Sequence, residues 1–247
     1  MKNTLFALNP DLDRHALAGD FAHERRVQIR DVLTQESAWE LRALLGHGTP
    51  WGLALRAPDA GQGEPNYLTA AELVTPAGRE RAQALAQAAA AAAARGEYGY
   101  CYASYPLLEA YLQRWDAGGP HDILLEHLNT PEFLDLVRTV TGFTDLAKAD
   151  GQATLYAGGH FLPLHHDSHV AQAWKVAYVL NLSSDEWRPD WGGNLVFYDE
   201  DGDIVRGYRP RFNSLNLFAV PQAHAVTFVP PFAPIGRFAV TGWLRGG

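Results

Sequence analysis

The stretch LHHD at residues 164–167 places His165 and Asp167 two positions apart in the chain. Side chains two positions apart in a β-strand point to the same face of the sheet, so a strand here presents both residues together and turns His166 the other way. Two histidines and one carboxylate form a facial triad, which binds Fe(II) and leaves open positions for other ligands. The spacing therefore predicts two of the three ligands of an iron site.

The third ligand has to come from a different strand that folding brings close. The segment AHAVTFV (223–229) reads as a strand and contains His224. We therefore predict that His165, Asp167 and His224 are the metal ligands and the catalytic residues.

The segment RFAVTGWL (237–244) reads as the next strand and begins with Arg237. A guanidinium binds a carboxylate through two parallel hydrogen bonds and stays charged when buried, as a dicarboxylate co-substrate requires. Together with the triad, Arg237 predicts an oxygenase that uses Fe(II) and 2-oxoglutarate. Alternation places Thr241 and Trp243 on the same face, where we expect contact with the co-substrate and a wall of the substrate pocket, respectively. Arg245 lies close behind and is the alternative carboxylate-binding residue.

Three stretches of the second half carry a family resemblance. They are LYAGGHFLPLHHD (155–167), WKVAYVLNLSSDEWRPDWGGNLVFYD (174–199) and RFAVTGW (237–243). They resemble the prolyl 4-hydroxylase-like branch of the 2-oxoglutarate/Fe(II)-dependent oxygenase superfamily. The resemblance covers roughly residues 150–245 and is looser in the first half.

The resemblance implies a hydroxylase with Fe(II) as its metal, 2-oxoglutarate and O2 as co-substrates and ascorbate as a stimulant. It implies that Tyr156 hydrogen-bonds the co-substrate and that residues of the 174–182 strand face it, although the register of that strand stays open. The implied substrate is a prolyl residue in a protein or peptide. A free amino acid or a small metabolite is the alternative.

Short strand candidates separated by turn signals begin at about residue 146. They are 150–157, 161–166, 174–182, 193–198, 203–209, 213–219, 223–229 and 237–244. This pattern predicts an α+β fold built on a double-stranded β-helix, or jelly roll, of about eight strands. We expect residues 146–245 to form this catalytic core within a single oxygenase domain, 1–247.

Residues 1–145 are expected to be mostly helical and to cover one sheet of the jelly roll. Thr34 is the predicted N-cap of a helix over QESAWELRALLG, and the alanine-rich segment from Pro76 to Arg95 is a strong helix. Further helices are predicted over 105–116, 120–128 and 130–141. One short strand is predicted at RVQIR (26–30).

Composition excludes several classes of protein. No apolar run is long enough to span a membrane, and the N-terminus lacks the apolar core of a secretory signal. The single cysteine, Cys101, excludes an internal disulfide framework and fits a cytoplasmic protein. The net charge of −8 argues against DNA binding and suits a cationic peptide as substrate.

Two other functions use the same fold. A zinc-binding jelly roll could hold its metal with the triad and a water molecule. A cupin-like or lectin-like binding protein would carry out no chemistry at all. Neither function gives Arg237 a carboxylate to bind.

Overall fold

The computed structural model describes residues 5–57, 66–167 and 173–247. Two antiparallel β-sheets pack face to face, and α-helices cover the outer face of the larger sheet. No helix within these described ranges is long and apolar enough to cross a bilayer.

The large sheet contains nine strands. Eight of them follow the order β1 (Arg26–Arg30), β11 (Ser214–Ala219), β8 (Trp174–Asn181), β13 (Arg237–Gly246), β6 (Gln152–Tyr156), β4 (Tyr100–Tyr105), β2 (Gly52–Arg56) and β3 (Asn66–Leu68), while β5 (Leu146–Ala149) pairs with β13. The small sheet has the order β10 (Ile204–Tyr208), β9 (Leu195–Tyr198), β12 (His224–Val226) and β7 (Leu162–His165).

The helices lie mainly in the first half of the chain. They are α1 (Arg14–Glu24), α2 (Gln35–Ala43), α3 (Ala70–Leu73), α4 (Pro76–Ala94), α5 (Leu107–Gln113), α6 (Pro120–Leu128) and α7 (Pro131–Thr141). The Thr34 hydroxyl accepts a hydrogen bond from the Ser37 amide and caps α2, as predicted. The helix over the alanine-rich segment is also confirmed, and it ends at Ala94.

Alternation along β8 and β13 divides the interior into two cores. Val176, Tyr178 and Leu180 of β8 pack in the cluster that contains the helices, where the Phe133 ring of α7 meets the Tyr178 ring edge-to-face at 5.9 Å. The intervening residues Ala177 and Val179 face the small sheet and pack with its apolar side chains. One face of these strands is therefore free to build a site, because the other face supplies the stabilising burial.

The first half contributes more β-structure than the sequence analysis expected. In addition to the predicted β1, it supplies β2, β3 and β4 to the large sheet. Five of the six residues of β4 are buried, so β4 lacks the apolar–polar alternation by which a strand is recognised in a sequence. From residue 146 onward the described residues form nine strands where about eight were expected. The unexpected strand is β5, whose sequence LAKA is rich in alanine, a poor strand former.

The Trp-Gly-Gly turn before β9 depends on its two glycines. Gly192 and Gly193 have φ angles of 62° and 63°, in the left-handed region that other residues rarely adopt. A Cβ atom on Gly192 would lie 1.9 Å from the carbonyl oxygen of Phe228. A Cβ atom on Gly193 would lie 3.2 Å from Cδ of Arg237. The turn therefore packs its backbone directly against the segments on either side.

We predict that Gly192→Ala lowers the free energy of unfolding by at least about 2 kcal/mol, because it combines a left-handed backbone with a clash against a carbonyl group. The matched control is Gly19→Ala in α1. There a Cβ meets no atom within 4 Å, and helix propensity should stabilise the protein by roughly 0.5–1 kcal/mol. Urea unfolding of both variants measures the difference, and equal effects would contradict this account of the turn.

Candidate metal and co-substrate site

A cavity of about 620 Å³ opens between the two sheets. The small sheet contributes His165 and His224 to its lining, the loop after β7 contributes Asp167, and the large sheet contributes Tyr156 and Arg237. Residues far apart in the sequence therefore line one cavity.

The triad predicted from the sequence converges in this cavity. His165 and His224 are directly opposite each other on β7 and β12, and their ring centroids lie 4.1 Å apart. Oδ1 of Asp167 lies 3.4 Å from Nε2 of His165, and Oδ2 of Asp167 lies 3.4 Å from Nε2 of His224. One donor atom from each residue lies within 4.8 Å of the other two, a spacing that could hold a metal ion.

Asp167 reaches the site by a different route from the one the alternation suggested. The strand β7 ends at His165, and Asp167 lies two residues beyond it, outside regular structure. It is nevertheless buried on the same side as His165, while His166 is exposed. The loop backbone, and not strand geometry, aims this carboxylate.

The backbone fixes the tautomers of both histidines. Nδ1 of His165 lies 2.8 Å from the Pro163 carbonyl oxygen, and Nδ1 of His224 lies 2.8 Å from the Gln222 carbonyl oxygen. A carbonyl oxygen only accepts hydrogen bonds, so each Nδ1 carries the proton and each Nε2 presents a lone pair. Two nitrogen lone pairs and a carboxylate then face one another, an arrangement that a cation stabilises.

The ionisation states of the site fit metal binding. Burial, and then the neighbouring His165, lower the pKa of His224 to about 4, so this imidazole is neutral at physiological pH. Burial alone would raise the pKa of Asp167, but His165, His224 and the indole of Trp243 outweigh it and hold that pKa below its ordinary value. Neutral imidazole and ionised carboxylate are the forms that bind metals.

Arg237 provides a buried positive charge in the same cavity. It begins β13 and is 1% exposed, and its Nε and Nη1 atoms have no hydrogen-bond partner within the part of the chain that the structure describes. The guanidinium carbon lies 5.1 Å from the centroid of the Tyr156 ring, directly opposite on β6. A cation–π contact offsets only part of the cost of burying a cation. The unpaired donors therefore fit an anionic ligand.

The pairing of strands in the large sheet decides which of the other predicted residues line the cavity. Thr241 and Trp243 line the cavity together with Arg237, and the Trp243 ring stacks on Trp174 with centroids 4.1 Å apart. Ala177 and Val179 are lining residues of β8, which resolves the register that the sequence left open. Arg245 is absent from the described lining residues and lies beside Lys148 in the β5–β13 pairing.

Sequence reasoning missed a row of tyrosines in this cavity. The row contains Tyr98, which precedes β4, and Tyr100 and Tyr102 of β4. Successive ring centroids lie 5.6 Å and 5.5 Å apart. Tyr102 stacks on Tyr156 at 5.0 Å, so the row ends beside Arg237. At its other end the Tyr98 ring lies 5.9 Å from the His165 ring, and the Arg56 guanidinium carbon lies 5.5 Å from the Tyr98 centroid.

The signal for these tyrosines was present in the sequence. In EYGYCY (97–102) the tyrosines alternate with other residues, which places all three on one face of an extended segment. The alternation could not show which face of which sheet they occupy, because that depends on the pairing of β4 with β6.

Comparison with known proteins finds a family model that matches the second part of the chain. Residues 151–245 match the family model described as the 2OG-Fe(II) oxygenase superfamily. The matched part is similar to that superfamily and contains His165, Asp167, His224 and Arg237. The description names 2-oxoglutarate and Fe(II), the co-substrate and metal predicted from the sequence.

The chain is also similar to proteins whose names refer to proline. It is 32% identical over 134 residues to the prolyl 3,4-dihydroxylase OGFOD1 of Ostreococcus tauri. That match covers 49% of this chain, and the chain spans only 26% of the relative's length.

Two solved structures share the fold across nearly the whole chain. A Pseudomonas putida prolyl-4-hydroxylase has a TM-score of 0.54 and 18% identity, with 95% of this chain and 99% of the other covered. A Trichoplax adhaerens prolyl hydroxylase, solved in complex with a peptide fragment of the oxygen degradation domain of hypoxia inducible factor, has a TM-score of 0.59 and 14% identity, with coverage of 94% and 89%. At these identities the likeness shows the fold alone.

Proposed function

We propose that this chain is an Fe(II)- and 2-oxoglutarate-dependent dioxygenase that hydroxylates a prolyl residue of a protein or peptide. The observation that carries the proposal is the meeting, in one cavity, of the His165–Asp167–His224 group with the buried and unpaired guanidinium of Arg237. A metal site alone would need only the first of these features.

The residues have distinct tasks in this proposal. Nε2 of His165, Nε2 of His224 and the Asp167 carboxylate hold the metal. Bound there, Fe(II) supplies oxidising chemistry with O2 as the oxidant and 2-oxoglutarate as the reductant that becomes succinate and CO2, and one oxygen atom of O2 enters the C–H bond as a hydroxyl group. The carboxylate ligand in the triad occupies the place that a halide would need, so the expected product is an alcohol.

Residues of the large sheet bind the co-substrate. Arg237 binds the distal carboxylate of 2-oxoglutarate through its unpaired donors, and Tyr156 and Thr241 contact the same molecule from the neighbouring positions of the lining. Arg237 is preferred to Arg245 because only Arg237 lies in the described lining of the cavity. Trp243, stacked on Trp174, forms a wall of the substrate pocket.

The preference for a prolyl substrate has two supports. Relatives of the chain bear the names of prolyl hydroxylases. In addition, Tyr98, Tyr100 and Tyr102 line the cavity with ring faces, and aromatic-lined grooves are the surfaces that recognise proline-containing peptides. A free amino acid or a small metabolite is the alternative substrate, and the substrate experiment below distinguishes the two.

We predict that His165→Ala, Asp167→Ala and His224→Ala each weaken metal binding by more than about 100-fold and abolish turnover, because each removes one ligand of the site. His166→Ala, which alters the exposed neighbour, should leave metal affinity unchanged and serves as the control. Anaerobic calorimetry with Fe(II), together with succinate formation in air, measures both effects. Near-normal succinate formation by any two of the three variants would show that the metal site lies elsewhere.

We predict that Arg237→Leu weakens 2-oxoglutarate binding by about 2–5 kcal/mol, as expected for loss of one partner of a buried charged pair. Arg237→Lys should retain only part of the 2-oxoglutarate affinity, because an ammonium group cannot form two parallel hydrogen bonds to a carboxylate. In the ligand-free protein Arg237→Leu should not lower the free energy of unfolding, since it removes an unpaired buried charge.

Arg245→Leu is the control for this prediction and should bind 2-oxoglutarate normally. Calorimetric titration of 2-oxoglutarate and urea unfolding of the same three variants separate affinity from stability. A large loss of affinity in the Arg245 variant alone would reassign the carboxylate-binding residue.

We predict that the enzyme couples 2-oxoglutarate turnover to proline-containing peptides or proteins more efficiently than to free L-proline. Mass spectrometry of lysate proteins treated with active enzyme, or with the Asp167→Ala variant as control, should reveal one added oxygen atom on prolyl residues. Coupling only to free amino acids or small metabolites would reject the protein substrate and leave the oxygenase assignment in place.

A further inference from the structure

A second cavity, of about 920 Å³, lies at the side of the sandwich away from the tyrosine row. Its walls include β1, at one end of the large sheet, and β10, at one end of the small sheet. Among the described strands, β1 pairs only with β11 and β10 pairs only with β9. The cavity is therefore a groove between two edge strands, whose outer backbone groups are available for pairing.

Positive charge is concentrated in this groove. Five arginines line it, whereas the carboxylates among the described lining residues are Asp20 and Glu24. The arginines are Arg26, Arg30, Arg206, Arg209 and Arg211. In a chain with a net charge of −8, such a local excess is unusual. Burial and then the nearby charges of Arg30 and Arg209 lower the pKa of Arg211.

Two of these arginines are held in place by neutral acceptors. Arg209 donates to the Trp187 carbonyl at 2.7 Å, and Arg211 donates to the Gln28 side chain at 3.2 Å. Arg26 donates to the Gln222 side chain at 2.9 Å but also pairs with the Glu24 carboxylate at 3.4 Å. Neutral acceptors orient a guanidinium without neutralising it, so Arg209 and Arg211 form a fixed cationic floor of the groove.

The other two arginines, Arg30 and Arg206, are exposed at its rim. Arg206 lies 3.9 Å from the Glu24 carboxylate and packs over the Tyr208 ring. Surface pairs of this kind contribute little to stability, so these side chains can exchange their partner for a ligand at small cost.

The rim also carries apolar side chains. Ile204 and Val205 of β10 are 59% and 48% exposed. Single-stranded nucleic acid is bound by stacking its bases on exposed aromatic rings, but Tyr208, the aromatic residue among the described lining residues, is 7% exposed. Arginine forks, apolar side chains and edge strands are instead the features that bind an extended acidic peptide.

We propose that this groove binds an extended acidic segment of a partner protein. Carboxylates of the segment pair with Arg30, Arg206 and the arginines of the floor, its apolar side chains cover Ile204 and Val205, and its backbone lies along an edge strand. The site lies apart from the metal cavity and does not depend on the proposed hydroxylase activity.

Fluorescence anisotropy with a labelled peptide of alternating glutamate and valine tests the proposal at low ionic strength. We expect saturable binding, at least about tenfold weaker for a glutamine–valine peptide, because the carboxylate–guanidinium pairs supply the specificity. The variant Arg30→Glu/Arg206→Glu should weaken binding of the acidic peptide by at least about tenfold. Arg30→Lys/Arg206→Lys should lie between this variant and the wild type, since the charge remains and the fork is lost.

The matched control is Arg79→Glu/Arg81→Glu, which makes the same change in net charge on exposed positions of α4. It should leave peptide affinity unchanged, and urea unfolding verifies that all variants are folded. Equal losses of peptide affinity in the two charge-reversal variants would show that binding depends on the net charge of the protein and not on the groove, and would overturn the proposal. Tighter binding of a single-stranded RNA oligonucleotide, or full displacement of the peptide by inorganic phosphate at millimolar concentration, would overturn it as well.

Discussion

The Arg237 guanidinium is buried between the two sheets, where bulk water cannot solvate its charge. Leaving a cation in such a place costs several kcal/mol unless an anion and a full set of hydrogen bonds accompany it. The protein supplies the ring face of Tyr156 and close backbone packing at Gly193, but the guanidinium keeps unpaired donors. The interior therefore contains an uncompensated cation, which lowers the stability of the ligand-free protein and which an anionic ligand could neutralise.

The cost is tolerable because the same strands are stabilised from their other side. Along β13, Val240 and Leu244 pack into the helix-covered core, while Arg237 and Thr241 face the cavity. Asp150, in the turn before β6, connects β13 and β8 by hydrogen bonds. Its side chain accepts a hydrogen bond from the Trp243 amide, and its backbone carbonyl accepts one from the Tyr178 hydroxyl. A strand fixed this firmly can hold functional side chains in position before any ligand binds.

The parts of the site that could be predicted were those encoded locally. His165 and Arg237 stand out because their residue types carry chemistry and because strand alternation assigns their faces. Helices with clear caps, such as α2 behind Thr34, were predictable for the same reason. Asp167 lies beside the two histidines as predicted, but a loop and not the strand directs its side chain.

What could not be predicted depends on long-range pairing. The tyrosines before and within β4 enter the cavity only because β4 pairs with β6, and nothing in EYGYCY specifies that partner. The arginine groove is a similar case, because it combines residues 26–30 with residues 206–211 through sheet edges that the sequence does not reveal. The net charge of the sequence is negative, but the fold gathers five arginines into one cationic groove.

The first strand is also connected to His224 through Gln222. Arg26 of β1 donates to the side chain of Gln222, whose amide group in turn donates to the carbonyls of Arg25 and Ala219. The backbone carbonyl of the same Gln222 accepts a hydrogen bond from Nδ1 of His224 and so sets the tautomer of that imidazole. Hydrogen bonds therefore connect β1, which lies outside residues 151–245 of the family match, to the orientation of His224. Through this connection the first part of the chain contributes to the geometry of the cavity as well as covering the sheet.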